Sequence, residues 1–224
     1  LQFALTIGFM DDLTLGGHLD DVVNDVHLIS RLGTDLGLHL NTSKCEVISL
    51  YADSELYPVL QSFIRILPTD ATLLGAPCLA GRMLHDALND CCVALRRAIE
   101  RLSLLESHDA LVLLRACFSA PKMTYLVRCS PCFGRPELDS FDGRLEGGVS
   151  GITNTDLNEL HWLQASLPVR VGGLGVRRVA SLAIPAYLAS AASTLELQNS
   201  LLANCHVLSD SLVDTYTSTW SDKF

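Results

Sequence analysis

The spacing of apolar residues changes several times along the chain, and each change predicts a different element. Near the amino terminus, two strand-forming runs, residues 5–9 and 13–15, lie on either side of Asp11 and Asp12. Gly16 and Gly17 end the second run. This pattern predicts a β-hairpin that carries two adjacent carboxylates at its tip.

After the hairpin the apolar period becomes helical. Residues 20–36 carry one apolar stripe, with Asp20 and Asp21 where a helix dipole favours acids and Gly37 where it can end the helix. A strand-like run at residues 45–51 follows, while Pro58 and Pro68 interrupt any regular element in residues 52–72. The order hairpin, helix, strand predicts an α+β fold for this part of the chain.

The middle of the chain is predicted to be helical. Apolar residues recur at three- or four-residue spacing from Met83 to Leu105, and Ser107 is placed to cap a second helix that Pro121 bends or ends. A third apolar stretch covers residues 123–128. We therefore expect a set of packed helices after the turn at residues 73–77.

The last third of the sequence divides into a linker and a helical extension. Residues 134–156 are rich in Gly, Asp, Ser and Thr and predict a loop. Thr155 can cap a short helix that leads to the glycine-rich segment 167–178, whose glycines do not match a dinucleotide fingerprint and predict tight turns beside three arginines. Residues 183–195 are predicted to form a helix.

The composition is that of a folded globular protein. Hydrophobic residues make up 49% and charged residues 18% of the 224 residues, which excludes a disordered chain. No secretory signal is recognisable, and the longest uncharged run, residues 179–195, contains Pro185 and suits a buried helix better than a membrane span. We expect an intracellular protein, in the cytoplasm or nucleus and not secreted, without membrane contact.

Charge is distributed unevenly. The formal net charge is −9, and residues 1–60 carry nine acids against two bases, whereas residues 81–135 carry eight bases against five acids. In such an arrangement the acidic part can hold cations at a reaction centre, and the arginines of the mildly basic part can bind a phosphate backbone. The alternative for the basic part is an ordinary solvated helix face.

The adjacent carboxylates Asp11 and Asp12 are the main candidate for chemistry. Neighbouring carboxylates repel unless a cation lies between them, and oxygen ligands favour Mg²⁺ or Mn²⁺. The alternative is conformational, because Asp is a favoured turn residue. A single Cys129-Ser130-Pro131-Cys132 motif supplies half of a zinc site, but no second pair follows at ligand spacing, so reduced and mostly buried thiols are favoured.

Phe9-Met10-Asp11-Asp12, between two apolar strands, resembles the aspartate-pair motif of reverse transcriptases. The segment 37–46, Gly-Leu-His-Leu-Asn-Thr-Ser-Lys-Cys-Glu, is similar to the next motif of these enzymes in retroelements without long terminal repeats. The Leu74-Gly75 turn, the helices after it and the Leu-Pro and Gly-Gly-Leu-Gly segment near residue 170 also resemble that family. The resemblance covers nearly the whole chain and is strongest over residues 5–48.

This resemblance implies the fold and roles of an RNA-directed DNA polymerase. Asp11 and Asp12 would hold catalytic Mg²⁺ or Mn²⁺, and Lys44 would serve the pyrophosphate leaving group. Leu74 and Gly75 would form a turn that grips the primer end. Arg96, Arg97 and Arg101, on the partly basic face of the long helix, would contact nucleic acid. The implied partners are an RNA template, a DNA primer and a dNTP.

The resemblance also implies an incomplete polymerase. Two-metal nucleotidyl transfer needs a further carboxylate, which in reverse transcriptases lies upstream of the hairpin. Since the sequence opens inside a strand-like run, we expect it to be a piece of a longer chain and to be inactive alone. The implied division is a partial palm at residues 1–78, a helical thumb-like region at 79–133, and a linker with a helical carboxy-terminal extension at 134–224.

Two other classes of function fit part of the sequence. One is a non-enzymatic folded relic or interaction domain derived from a retroelement. Another is a prenyl-chain enzyme, which also uses Asp-Asp pairs and Mg²⁺, but that chemistry needs acids on long helices and Asp11 follows a strand-like run.

Overall fold

The computed structural model describes residues 5–48, 57–202 and 210–223. Within them the chain is a mostly helical α+β protein, with small two-stranded sheets before residue 78 and eight helices after it. The strands are β1 Leu5–Phe9, β2 Asp12–Gly16, β3 Glu46–Ile48, β4 Ile64–Ile66, β5 Thr72–Leu73 and β6 Ala76–Pro77. The helices are α1 Leu19–Asp35, α2 Arg82–Leu102, α3 Ser107–Leu113, α4 Ala120–Cys129, α5 Pro136–Thr153, α6 Glu159–Ser166, α7 Ala183–Ser193, α8 Leu195–Leu201 and α9 Ser211–Lys223.

Each small sheet pairs neighbouring segments. β1 and β2 form the predicted antiparallel hairpin, with Phe9 opposite Asp12, and β5 and β6 form a second one, with Leu73 opposite Ala76. β3 pairs in parallel with β4, and not with the hairpin. The predicted strand at residues 45–51 is therefore present at Glu46–Ile48, and its last three residues lie outside the described ranges.

The hydrophobic core is built by the helices. It runs from Leu84 to Ala183 and centres on the packing of α2 against α5, with Leu88, Leu95, Phe141 and Leu145 fully buried. None of the strand residues described belongs to this cluster. Among the described residues, the helical region thus holds most of the buried apolar side chains, and burial of apolar surface is the main driving force for folding.

The prediction of a loop or linker at residues 134–156 is wrong. Residues Pro136–Thr153 form α5, and this helix lies at the centre of the core. Pro136 begins the helix and Asn154, in the left-handed conformation, ends it. One of the glycines that suggested a loop leaves room for the neighbouring helix instead, since a Cβ at Gly148 would lie 2.8 Å from Ile99 Cδ1 of α2.

Two predicted helix caps differ from the observed ones. Ser107 is already the first residue of α3 and makes no side-chain cap. At α6 the cap is Asn158, whose Oδ1 accepts from the backbone N–H of His161 at 2.8 Å, and not Thr155. Asn is at least as effective as Thr in this position, so the sequence alone does not discriminate between Asn158 and Thr155 as the cap.

One helical stretch, Ser107–Cys129, is long and apolar enough to cross a membrane by length and composition. Within it a π-helical turn, Leu114–Phe118, separates α3 from α4, and Pro121 lies in the first turn of α4. Its residues Ala110, Leu114 and Met123 belong to the hydrophobic core. Core helices commonly meet the same criterion.

Candidate active site

The hairpin tip brings Asp11 and Asp12 together at the surface. Asp11 lies in the two-residue turn and Asp12 begins β2, and both are exposed. Met10, the other turn residue, has φ 55°, a conformation that usually belongs to glycine. The turn thus presents adjacent carboxylates to solvent on a short, closed β-hairpin.

Lys44 lies in the 3₁₀ turn Thr42–Lys44, which Cys45 separates from β3. Its side chain is exposed, and within residues 5–48 no ion pair joins it to Asp11 or Asp12. Because β3 pairs with β4, no strand pairing ties the Lys44 turn to the hairpin. The predicted pyrophosphate-side role of Lys44 stays a prediction.

Leu74 and Gly75 form the tip of the β5–β6 hairpin. Both have positive φ, 50° and 78°, as a type I′ turn requires. Tyr125 of α4 donates its hydroxyl proton to the Leu74 carbonyl at 2.5 Å, and Ser130 donates to the Pro77 carbonyl at 2.7 Å. These bonds hold the hairpin against α4, so the predicted turn exists and is rigidly supported.

Arg96, Arg97 and Arg101 all lie exposed on α2. Arg96 forms an i,i+4 pair with Glu100, with Nη1 and Oε1 3.8 Å apart. Arg97 and Arg101, one turn apart on the same face, form no ion pair among the described residues. The predicted basic face is therefore present and partly uncompensated.

The residues fit a single weakly held cation better than a two-metal centre. Among the described residues, no group of three or more His, Cys, Asp or Glu side chains could hold a metal ion. Mg²⁺ can nevertheless bind through one or two carboxylates and keep its water ligands. The cysteine motif fits zinc poorly, because burial raises the pKa of the Cys132 thiol to about 12 and disfavours the thiolate that zinc requires.

Two buried acids of α5 were not found by sequence reasoning. Asp142 of α5 accepts hydrogen bonds from the backbone N–H groups of Val179 (2.6 Å) and Ala180 (3.0 Å). Burial raises its pKa, although these donors and Arg178 favour the charged form. Asp142 also lines a cleft of about 330 Å³ between α5 and α6. The helical spacing of Leu138, Asp142 and Leu145 indicates a helix with Asp142 on its buried face, but the glycines of α5 suggested a loop.

Glu137 is the second of these acids and connects α2 to α5. Its Oε1 contacts His85 Nδ1 and lies 3.5 Å from an Arg135 Nη, while Asn89 Nδ2 lies 2.8 Å from the other nitrogen of His85. Burial of Glu137 opposes ionisation, but its own backbone N–H, His85 and Arg135 outweigh burial and lower the pKa. This cluster stabilises the helix pair and lies outside the predicted site.

No protein-family model matches the chain, and comparisons with curated proteins and with solved structures give no match. A functional assignment therefore depends on the residues described above.

Proposed function

We propose that this chain is the carboxy-terminal palm and thumb part of an RNA-directed DNA polymerase of a retroelement without long terminal repeats. The observation that carries the proposal is the position of Asp11 and Asp12 side by side at the tip of an antiparallel hairpin. The supported β5–β6 turn and the exposed arginines of α2 are consistent with it. The substrates would be a dNTP, an RNA template and a DNA primer.

In this proposal the carboxylates bind and orient the reacting groups. Asp11 would be a direct ligand of Mg²⁺ or Mn²⁺, and Asp12 a second ligand or an electrostatic partner. When bound, the cation supplies charge neutralisation at the transferring phosphoryl group. Lys44 would donate a proton to the pyrophosphate or stabilise its charge, and Arg97 and Arg101 would bind backbone phosphates.

Metal binding tests the carboxylate part of the proposal. Titration of the purified chain with Mn²⁺, followed by electron paramagnetic resonance, should show binding that is lost in the double variant Asp11→Asn, Asp12→Asn. A matched control is Asp20→Asn, Asp21→Asn, which removes another adjacent acid pair, at the start of α1. Equal loss in both double variants, or none in either, would contradict a hairpin metal site.

The polymerase assignment needs a separate experiment. The coding DNA upstream of the Leu1 codon should continue the open frame and encode a strand that carries another aspartate. The longer protein should extend a DNA primer on an RNA template, and Asp11→Ala should reduce extension by about 10³-fold, since several kcal/mol of charge stabilisation is lost. A stop codon or an unrelated sequence there would overturn the enzyme assignment.

The second candidate is a non-enzymatic interaction domain derived from such an element. The observation in its favour is that the core of the chain lies in the helices and includes none of the candidate catalytic residues described. On this alternative the chain folds stably, yet Asp11→Asn and Asp12→Asn leave Mn²⁺ binding unchanged. The two candidates are therefore separated by the same titration.

A further inference from the structure

Two segments of this acidic protein carry bases and no acids. Residues 110–136 contain four bases, and residues 167–178 contain three arginines, while neither segment contains Asp or Glu. The whole chain has a formal charge of −9, so the rest of it is strongly negative. A local concentration of positive charge in such a chain marks a surface with its own electrostatic role.

The two segments meet at Arg115. This residue lies in the π-helical turn Leu114–Phe118, and its Cδ is 2.9 Å from the position that a Cβ at Gly175 would occupy. Val169 Cγ2 is 3.4 Å from the same position, and Gly175 has φ +76°. The glycine therefore permits the arginine stem to lie directly against the loop.

This contact places Arg115 beside the segment that carries the exposed residues Arg170 and Arg177. Arg170 follows Val169 directly, and Arg177 is two residues beyond Gly175, a chain distance of at most about 7 Å. We call Arg115, Arg170 and Arg177 the arginine surface. Arg178 is excluded, because it faces Asp142 and lines the cleft between α5 and α6.

Among the residues that the structure describes, no acid forms an ion pair with the arginine surface. Its three residues are exposed. Neighbouring like charges repel one another, and an anion bound between them relieves that repulsion. Since the stem of Arg115 is already packed against Gly175, less side-chain entropy is lost when its guanidinium binds.

We propose that the arginine surface binds the phosphodiester backbone of single-stranded nucleic acid, as a site separate from the Asp11–Asp12 hairpin and from the arginines of α2. Guanidinium groups bind phosphate through paired hydrogen bonds, which suits a backbone with a phosphate at every nucleotide. A membrane fits less well. Arg170 and Arg177 lie in a segment of short turns with left-handed Gly172 and Gly175, whereas lipid surfaces are bound by amphipathic helices with large apolar faces.

The test is fluorescence anisotropy of a labelled 20-nucleotide single-stranded RNA, titrated with the purified chain at 50–200 mM KCl. The triple variant Arg115→Met, Arg170→Gln, Arg177→Gln keeps the Arg115 stem but removes three charges. It should lose about 10-fold or more in affinity, and its slope of log K against log salt should be shallower by about 2, or 0.7 for each lost phosphate contact.

The control variant Arg31→Gln, Arg82→Gln, Arg144→Gln removes three exposed arginines elsewhere and changes net charge equally. It should bind within about twofold of the parent chain, and circular dichroism should show all variants folded. If Arg115→Met disturbs the loop, Arg170→Gln with Arg177→Gln should still lose affinity, and Arg115→Lys should retain it. Because this assay does not depend on Asp11 or Asp12, failure here is distinct from failure of the polymerase proposal.

Three outcomes would overturn the assignment. One is the absence of RNA binding by the parent chain at 50 mM KCl. Another is equal loss in the two triple variants, which would indicate dependence on net charge alone. The third is tighter, arginine-dependent binding to vesicles of phosphatidylserine and phosphatidylcholine, which would assign the surface to a membrane.

Discussion

At the scale of single residues, the glycines of α5 have different physical roles. Gly148 faces Ile99 so closely that a Cβ would lie 2.8 Å from Ile99 Cδ1, whereas a Cβ at Gly147 would meet no atom within 4 Å. Glycine in a helix interior costs about 1 kcal/mol relative to alanine. Only at Gly148 does close helix packing compensate for that cost.

We therefore expect neighbouring substitutions to differ. Gly147→Ala should raise the free energy of unfolding by about 0.5–1 kcal/mol. The free energy of unfolding of Gly148→Ala should be about 1 kcal/mol lower than that of Gly147→Ala, because the gain in helix propensity is offset by crowding against Ile99. Urea denaturation of both variants measures the difference, and an equal gain in both would contradict the packing of α2 on Gly148.

Met10 holds an unfavourable backbone conformation beside Asp11. Its φ is 55° and its side chain is 92% exposed, so no packing compensates for the conformation. Met10→Gly should raise the free energy of protection of the hairpin amides from hydrogen exchange by about 1 kcal/mol. The variant Met10→Ile, with a β-branched side chain, should lower that free energy. If both changes act in the same direction, the turn does not have positive φ at this position.

At the scale of elements, helices with a clear apolar stripe were predictable and α5 was not. The spacing of Leu84, Leu88 and Leu95 predicted α2, because charged residues stand between them. Leu138, Phe141 and Leu145 have equally good spacing, but glycines between them suggested a loop. The sequence did not reveal that Gly148 is required by another helix, since that requirement arises only when α2 and α5 are packed.

The junction of α2 and α5 should make stability depend on pH. The pKa of Glu137 is lower in the folded chain than in the unfolded chain. As pH falls, Glu137 is therefore protonated in the unfolded chain before it is protonated in the folded chain. The contribution of Glu137 is therefore present above its unfolded pKa and is lost as pH falls toward the folded value. The midpoint of urea denaturation should be measured between pH 3 and 7. For the parent chain it should fall steeply at the acidic end of this range.

Glu137→Gln should lower stability at pH 7 and flatten that acid-side dependence, because the titrating group is gone. A suitable control is Asp139→Asn, an exposed acid in the same first turn of α5. The control should keep the slope of the parent chain. A parent-like slope in Glu137→Gln would show that His85 and Arg135 do not stabilise the Glu137 carboxylate.

At the scale of the whole molecule, local motifs were predictable and their mutual positions were not. The hairpin with Asp11 and Asp12 follows from strand propensity and turn residues close in sequence. The relation of Lys44 to those acids depends on how β3 pairs, and β3 pairs with β4. Similarly, the meeting of Arg115 with Gly175 joins positions sixty residues apart, which no local pattern encodes.

The distribution of buried residues predicts uneven stability. The core cluster extends from Leu84 to Ala183, while β1 and β2 contain exposed or half-buried residues throughout. Local opening requires less free energy where few apolar contacts are lost. Amides of α2 and α5 should therefore exchange slowest with deuterium, and amides of the β1–β2 hairpin should exchange much faster.

Paired truncations test this inference. Phe141 is fully buried in the core, so Phe141→Ala should reduce the free energy of global unfolding by about 3–5 kcal/mol. Ile7→Ala in β1 should leave α2 and α5 exchange within about 0.5 kcal/mol of the parent chain and speed exchange only in the hairpin. If Ile7→Ala instead lowered protection of α2 and α5 equally, hairpin and helices would unfold as one cooperative unit, and metal binding at Asp11 would then stabilise the entire chain.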